Sequence, residues 1–471
     1  MARPGILHMV MKCLPGGNLM FTRQRSLPMY ILSMDFGTSS LKIALLRQDL
    51  QIVKAFKVEY QYRVLNQNWV ELDAETAISA MCSGISDLSG YIDEIELVSF
   101  DTFSPSVTLI DREGEALYPV IMHLDRRSRD QSQRIIDEIG TKEFQSITGI
   151  QPFIGGASVT SVLWLMENEP ALFEKAYKLA HFNTYVYHRL TGCWATDPVN
   201  ASMTGMYETM GGDRWSDRIC GAFGIPEGKL PDILQAGTIA GRLTRQAAQL
   251  TGLREGIPVA LGSNDAATAQ VGAGNTKAGD ILDISGSSEM VSILSDKAVV
   301  NDKYYLRKAA TPGLWQIFAI TASGLAIDWF RREFYRDMDD KAFFNAEFPA
   351  IINENIKSSN VHFAPYIAGD RQSLTPKTAS FSGITLQASR RDFLASILFG
   401  IHEPIVETIR LAEAFLELNR NVKLTGGMVD DAFIGLKRKI IEGFDFEVVD
   451  NCPIIGNAVL ALQGLNSRKG E

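Results

Sequence analysis

The 471-residue chain is poor in the residues that build disulfide frameworks, zinc sites and hydrolase centres. Its five cysteines, at 13, 82, 193, 220 and 452, include no CxxC pair. That leaves neither a disulfide framework nor a cysteine metal site and fits a reducing, cytoplasmic compartment. Six histidines supply no HExxH or HxH spacing, and no GxSxG elbow occurs, so metalloprotease and serine-hydrolase chemistry lack their residues. No apolar run reaches the roughly 18 residues of a membrane-spanning helix, so no membrane partner is expected. Positive charge is in the minority, 46 Lys and Arg against 55 Asp and Glu, and a net charge of -9 argues against a nucleic-acid partner bound through a broad basic face. The GxxxxGK[ST] loop and a strand-linked GxGxxG are also missing, which removes the main support for P-loop and Rossmann nucleotide sites.

What is present describes an ordinary folded protein. With 46% hydrophobic and 21% charged residues the chain can bury a sizeable core, and its length predicts two domains or one very large one. The first thirty residues differ, carrying Arg3, Lys12, Arg23 and Arg25 but no acid; without them the net charge falls to -13. Pro4, Pro15, Gly16, Gly17 and Pro28 interrupt any amphipathic helix, so residues 1–28 read as a disordered leader with Met29 as a candidate start, ahead of an organelle-targeting segment.

From Met29 onward, short apolar runs alternate with turns. Ile31 and Leu32, then Leu41 to Leu46, then 51–60 predict an antiparallel meander, followed by a helix capped by Asp73 and a strand at 95–100. The pattern returns at 280–294, where Ile281 to Ser285 leads through Gly286-Ser287-Ser288 into a second apolar run. An extended run at 315–321, a helix from about Ala322, a long helix over 391–418, a strand at 422–424 and a final helix from about Pro453 complete the prediction. The repeated hairpin predicts two α/β domains facing a cleft: 29–274, 275–465 and a short tail at 466–471.

Two Gly-hydroxyl turns, 37–40 and 286–288, could hold a triphosphate from opposite sides of such a cleft, because glycine lets backbone N–H groups approach and hydroxyls add donors. The plainer reading is two hairpin turns. Asp35 before the first turn is either a Mg2+ ligand beside phosphates or an Asx-turn residue, and Lys42 either neutralises phosphate or points to solvent. Asp265 follows an apolar strand at 257–261 and opens a helix, a natural N-cap that would also favour an ionised, proton-accepting carboxylate. Gly426-Gly427 offers backbone for a flat ring or a tight strand–helix turn.

Together these segments resemble the FGGY carbohydrate kinases over essentially Met29 to Leu465. The most specific stretch runs from Leu230-Pro231 through Gly237-Thr238-Ile239-Ala240-Gly241, Thr251-Gly252-Leu253, Gly256, Pro258-Val259 and Gly262 to Asp265. Trp69 to Asp73, Asp125-Arg126-Arg127, Tyr366 to Arg371 and Phe381-Ser382-Gly383 are similar to further family landmarks. The resemblance implies two ribonuclease H-like domains of the actin-like ATPase type around a central cleft, with ATP and Mg2+ as cofactors. It assigns the general base to Asp265 and the metal to Asp35. Nucleotide contacts fall on Gly37, Thr38, Ser39, Lys42, Gly286, Ser287, Gly324, Asp328, Gly426, Gly427 and Asp431. Sugar contacts fall on Asp101, Thr102, Phe103, Asp125, Arg126 and Asn264. The implied reaction is phosphorylation of a small sugar, polyol or sugar acid; the alternative is a catalytically weak or inactive binding protein of the same fold. A homodimer is compatible with this reading and is not derivable from it.

Two departures stand out. Ser99 to Ser106 replaces the Ser-Gly-Gln-Met-His type segment of ketopentose members, which leaves the sugar open. Ser287 stands where Thr is common, and Glu289 places a carboxylate close behind the second turn, which predicts weaker nucleotide binding.

Overall fold

The computed structural model describes residues 29–467 apart from 67, 354–359, 370–373 and 376, so the leader and the landmark residues Asp370 and Arg371 lie outside the described residues. The first sheet is built on β1 (Tyr30–Phe36), β2 (Ser40–Arg47), β3 (Ile52–Glu59) and β4 (Ile95–Thr102), extended by β5 (Gly241–Arg242), β6 (Pro258–Val259) and β7 (Ser263–Asn264). Its order is β5-β6-β4-β1-β2-β3, with β7 also on β4. β1, β2 and β3 form the expected antiparallel meander, while β4 joins β1 in parallel.

The second sheet repeats this plan. It contains β8 (Ile281–Ser285), β9 (Glu289–Ser295), β10 (Tyr305–Lys308), β11 (Trp315–Thr321), β12 (Asn421–Gly426) and β13 (Asp445–Val448), in the order β10-β11-β9-β8-β12-β13. Again three antiparallel strands meet parallel neighbours at the first strand of the hairpin. The duplicated hairpin is therefore a duplicated sheet. A five-stranded sheet containing Trp69–Leu72, Ser106–Ile110 and Val120–Met122 is inserted beside the first one.

The helices are α1 (Ala74–Ser86), α2 (Asp265–Gly272), α3 (Ser323–Phe334), α4 (Arg390–Glu413), α5 (Asp431–Ile440) and α6 (Cys452–Ser467). Asp73 caps α1 as expected by accepting from the Glu75 N–H, and α1 buries Ala77, Ile78, Met81 and Ile85. α4 ends at Glu413 rather than 418, because 414–416 close it with tight turns. The apolar run at 257–261 is mostly irregular, with only Pro258–Val259 in a strand. α6 continues to Ser467, two residues into the predicted tail.

Two helices are exchanged between the halves. α6 follows the last strand of the second sheet yet packs on the first, burying Ile454, Ala458 and Ala461 against Ile31, Ala44, Leu46 and Leu97. α2 follows the first sheet and reaches the second, where Gln270 Nε2 donates to Ser292 O at 2.8 Å and Ala269 packs on Leu282. The two helices touch backbone to backbone at Gly456, where a Cβ would lie 2.0 Å from Thr268 O, so only glycine fits. Among the described residues no helix is long and apolar enough to cross a membrane.

Candidate active site

The chain order of the two sheets brings both Gly-hydroxyl turns to one cavity of about 1240 Å³. Its wall includes Asp35, Gly37, Thr38, Ser39 and Lys42 from the first hairpin, Ser287 and Ser288 from the second, and Asn264 and Asp265 between them. The first turn is closed by Gly37 N–H donating to Ser40 O at 2.9 Å and by the Tyr60 hydroxyl on Gly37 O. Lys42 does not point freely to solvent; its Nζ donates to Asn451 Oδ1 at 2.5 Å, which ties β2 to the residue before α6.

Of three neighbouring carboxylates, Asp35 and Asp265 lie on this wall and Asp101 behind it. Asp35 on β1 is level with Asp101 on β4, and the two carboxyls share a hydrogen bond. Burial raises both, Asp101 well above the usual range, where Asp35 and Asp265 add to the shift. Asp101 also accepts from Asn457 Nδ2 on α6 at 2.6 Å and, fully buried, stands behind the cavity rather than on it.

Asp265 is not the N-cap. Asn264 takes that role, its Oδ1 accepting from Ala266 and Ala267 N–H at 3.1 and 3.2 Å. Asp265 is the first helical residue, and its Oδ1 accepts from Ala266 N–H and Asn264 Nδ2, both at 2.7 Å. Burial, with Asp35 adding, pushes its carboxyl up to about 6, partly offset by Ala266, Arg307 and Asn264.

Other predicted residues are placed differently. Phe103 lines the cavity, but Thr102 is fully buried behind it. Asp125 is held by Arg127 at 2.7 Å and accepts the Val70 N–H, and Arg127, between Trp69 and Trp164, also pairs with Glu71. Asp125 and Arg127 thus form a buried hub beside the cavity and do not line it. Arg126 Nη1 donates to His123 O and Asp125 O. Gly286 accepts the Gly324 N–H at 3.1 Å, so this pair braces the second turn without lining the cavity. Gly426 lines it, with φ +117 and a Cβ position 2.1 Å from Ser285 O, whereas Gly427 does not. Asp328 is paired with Arg331 and Arg332, and Asp431 is exposed behind the cap Asp430; neither reaches the cavity.

Glu289 does not face the phosphate turn. It is fully buried, with Lys437 Nζ at 2.6 Å; the same ammonium reaches Asp283 at 2.5 Å, and His402 lies 3.4 Å from Glu289. Its carboxylate is thus partnered inside the second half rather than aimed at the turn, while Ser287 lines the cavity. Sequence reasoning also missed Ser104, Gln151, Arg307 and Asn451, all on the cavity wall.

The model for the N-terminal domain of the FGGY family of carbohydrate kinases matches residues 30–272, more than half of the chain. The chain belongs to the FGGY family of carbohydrate kinases. This FGGY kinase is 27% identical over 407 residues to the xylulose kinase of Lactococcus lactis subsp. lactis (strain IL1403), covering 84% of this chain and 78% of that one. It is 26% identical over 403 residues to the L-fuculokinase of Escherichia coli (strain K12), covering 81% and 80%. The crystal structure of xylulose kinase from Rhodospirillum rubrum superposes with a TM-score of 0.84 at 21% identity, over 92% of this chain and 90% of that one. The two-domain actin-like ATPase fold expected from the sequence is therefore the fold of this carbohydrate kinase.

Proposed function

We propose that this kinase transfers the terminal phosphoryl group of ATP to a hydroxyl of a small sugar, polyol or sugar acid, with Asp265 as general base. The observation that carries the reading is the position of Asp265, on the wall of one cavity between two turns rich in Gly and hydroxyl residues. Its Oδ1 is occupied by Ala266 and Asn264, so Oδ2 is the oxygen we assign to the acceptor's proton. Such positioned proton transfer contributes about 10²- to 10⁴-fold. Phosphoryl transfer otherwise rests on alignment and charge neutralisation, and Lys42, fixed by Asn451, supplies a held cation at the first turn. Asp35, a cavity-facing carboxyl backed by Asp101, fits the sparse protein donor set of Mg2+, which would neutralise phosphate charge when bound. The halves are assigned as a sugar-side domain, 29–274, and a nucleotide-side domain, 275–465, joined by the exchanged helices.

The names of the relatives, xylulose kinase and L-fuculokinase, support a sugar acceptor without choosing one. The cavity placement of Asp35, Lys42 and Asp265 supports turnover over binding alone. The test is ADP release with and without candidate sugars, then Asp265→Asn. Because Asn264 carries the cap and the buried carboxylate is removed, the variant should melt no lower than wild type while kcat falls at least ~100-fold. Near-normal turnover in the folded variant would remove Asp265 as the base.

A further inference from the structure

Arg307 lies on β10, between the second Gly-hydroxyl turn and Gly324 in the chain, and is only 2% exposed. β10 docks on the first half: Leu306 N–H donates to Gly149 O at 3.3 Å, and Lys308 N–H donates to Ser202 Oγ at 3.1 Å. This docking places the guanidinium on the cavity wall with Gln151, Gly156 and Met203. Its Nε donates to Gln316 Oε1 at 2.7 Å, and the group lies over the Phe318 ring at 4.6 Å, so its direction is fixed. Nη2 is buried without a hydrogen-bond partner among the described residues. Among the described residues Arg307 makes no salt bridge, although Asp265 and Asp197 lie within electrostatic range. Asp197 is occupied by Ser263 and Asn200, both at 2.6 Å. Burial lowers the guanidinium only to about 10, so it is charged at neutral pH.

A buried charged donor without a partner is costly, and the planar fork of arginine matches anionic oxygens. The second phosphate turn is too distant to supply them. Arg307 pairs with Gln316 on β11, whereas Glu289, just after the turn, pairs with Thr321. Five residues of strand separate these levels, about 17 Å.

We propose that Arg307 is a specificity residue that binds an anionic group on the acceptor, so that the substrate is an anionic sugar, either a sugar acid or a sugar phosphate. This rests on the kinase reading of the same cavity and narrows it. The nearby Asp265 repels an anion, so the group sits at the end of the acceptor away from the reacting hydroxyl.

The experiment compares aldonates and sugar phosphates with neutral alditols and ketoses of equal length, by ADP formation and, without ATP, by thermal shift. Wild type should prefer an anionic member by at least ~100-fold in kcat/KM, with the carboxylate and phosphate arms identifying the source. Arg307→Gln should collapse that preference through the sugar KM with the ATP KM unchanged, and Arg307→Lys should restore part of it. Equal or better turnover of neutral sugars by wild type would overturn the proposal while leaving the kinase reading intact. So would an Arg307→Gln variant that slows all sugars alike and shifts the Asp265 pH limb, the behaviour of a simple counter-ion. If no member yields ADP, the kinase reading fails. Thermal shift then decides Arg307: anion-dependent stabilisation that Arg307→Gln abolishes supports it, and its absence refutes it.

Discussion

Asp265 enters the folded state with its carboxyl raised from 3.8 to about 6, chiefly by burial, so between those values the native chain holds a proton that the unfolded chain has released. Its ionised form therefore costs stability above about pH 6, and that cost disappears as pH falls toward 4. Activity needs the opposite state. Lowering pH from 7.5 to 5 should reduce kcat/KM along a one-proton limb near 6, while the melting temperature of wild type approaches that of Asp265→Asn from below. Parallel kinetic and melting profiles of the two proteins check both halves, and a flat kcat/KM across this range would contradict the assignment. At this scale the sequence was partly legible. It placed the cap of α2 on Asp265, one residue late, because Asn264 and Asp265 are both good caps and only the closing geometry selects one. Arg307 left no signal, because Tyr305-Leu306-Arg307-Lys308 looks like any half-exposed strand, and the docking of its neighbours Leu306 and Lys308 on Gly149 and Ser202 is a long-range contact that no local pattern announces.

Hairpins and long helices were readable as elements because their apolar periodicity is local; β1, β2, β8, β9 and α1 lie where the pattern predicts. The short β7 was not, and β6 forms only two of the five residues of the strand predicted at 257–261, since such two-residue strands are defined by their partner β4 rather than by their own sequence. The cluster beneath the second turn shows the same limit. Lys437 on α5 joins Asp283 on β8 to Glu289 on β9, with every side chain fully buried. Removing the ammonium leaves two carboxylates without their counter-ion. Lys437→Met should cost about 3–5 kcal/mol, read as a lower denaturant midpoint. Adding Asp283→Asn and Glu289→Gln should recover part of that loss, because an apolar or neutral replacement of a whole buried ion cluster is far cheaper than breaking it. No recovery would mean the three groups do not act as one unit.

Across the whole molecule, the cleft depends on both halves. The duplicated sheet order was foreseeable from the repeated hairpin, but the exchange of α2 and α6 was not, because no local pattern says which sheet a helix will cover. A chain limited to 29–274 lacks α6 and exposes Ile31, Leu46 and Leu97, which that helix buries. Such a fragment should show loose packing, with dye binding and no cooperative melt, and adding back residues 452–467 through a linker should restore the transition; a cooperative melt without them would contradict this. The exchange also has a consequence in time. A ribosome extends this protein from its amino end, so β1 and β4 emerge early, yet their outer face stays wet until α6, which begins only at Cys452, has been made. The first half therefore waits as an unfinished surface while the second half is synthesised, and its sheet can be covered only after that half's own strands have appeared.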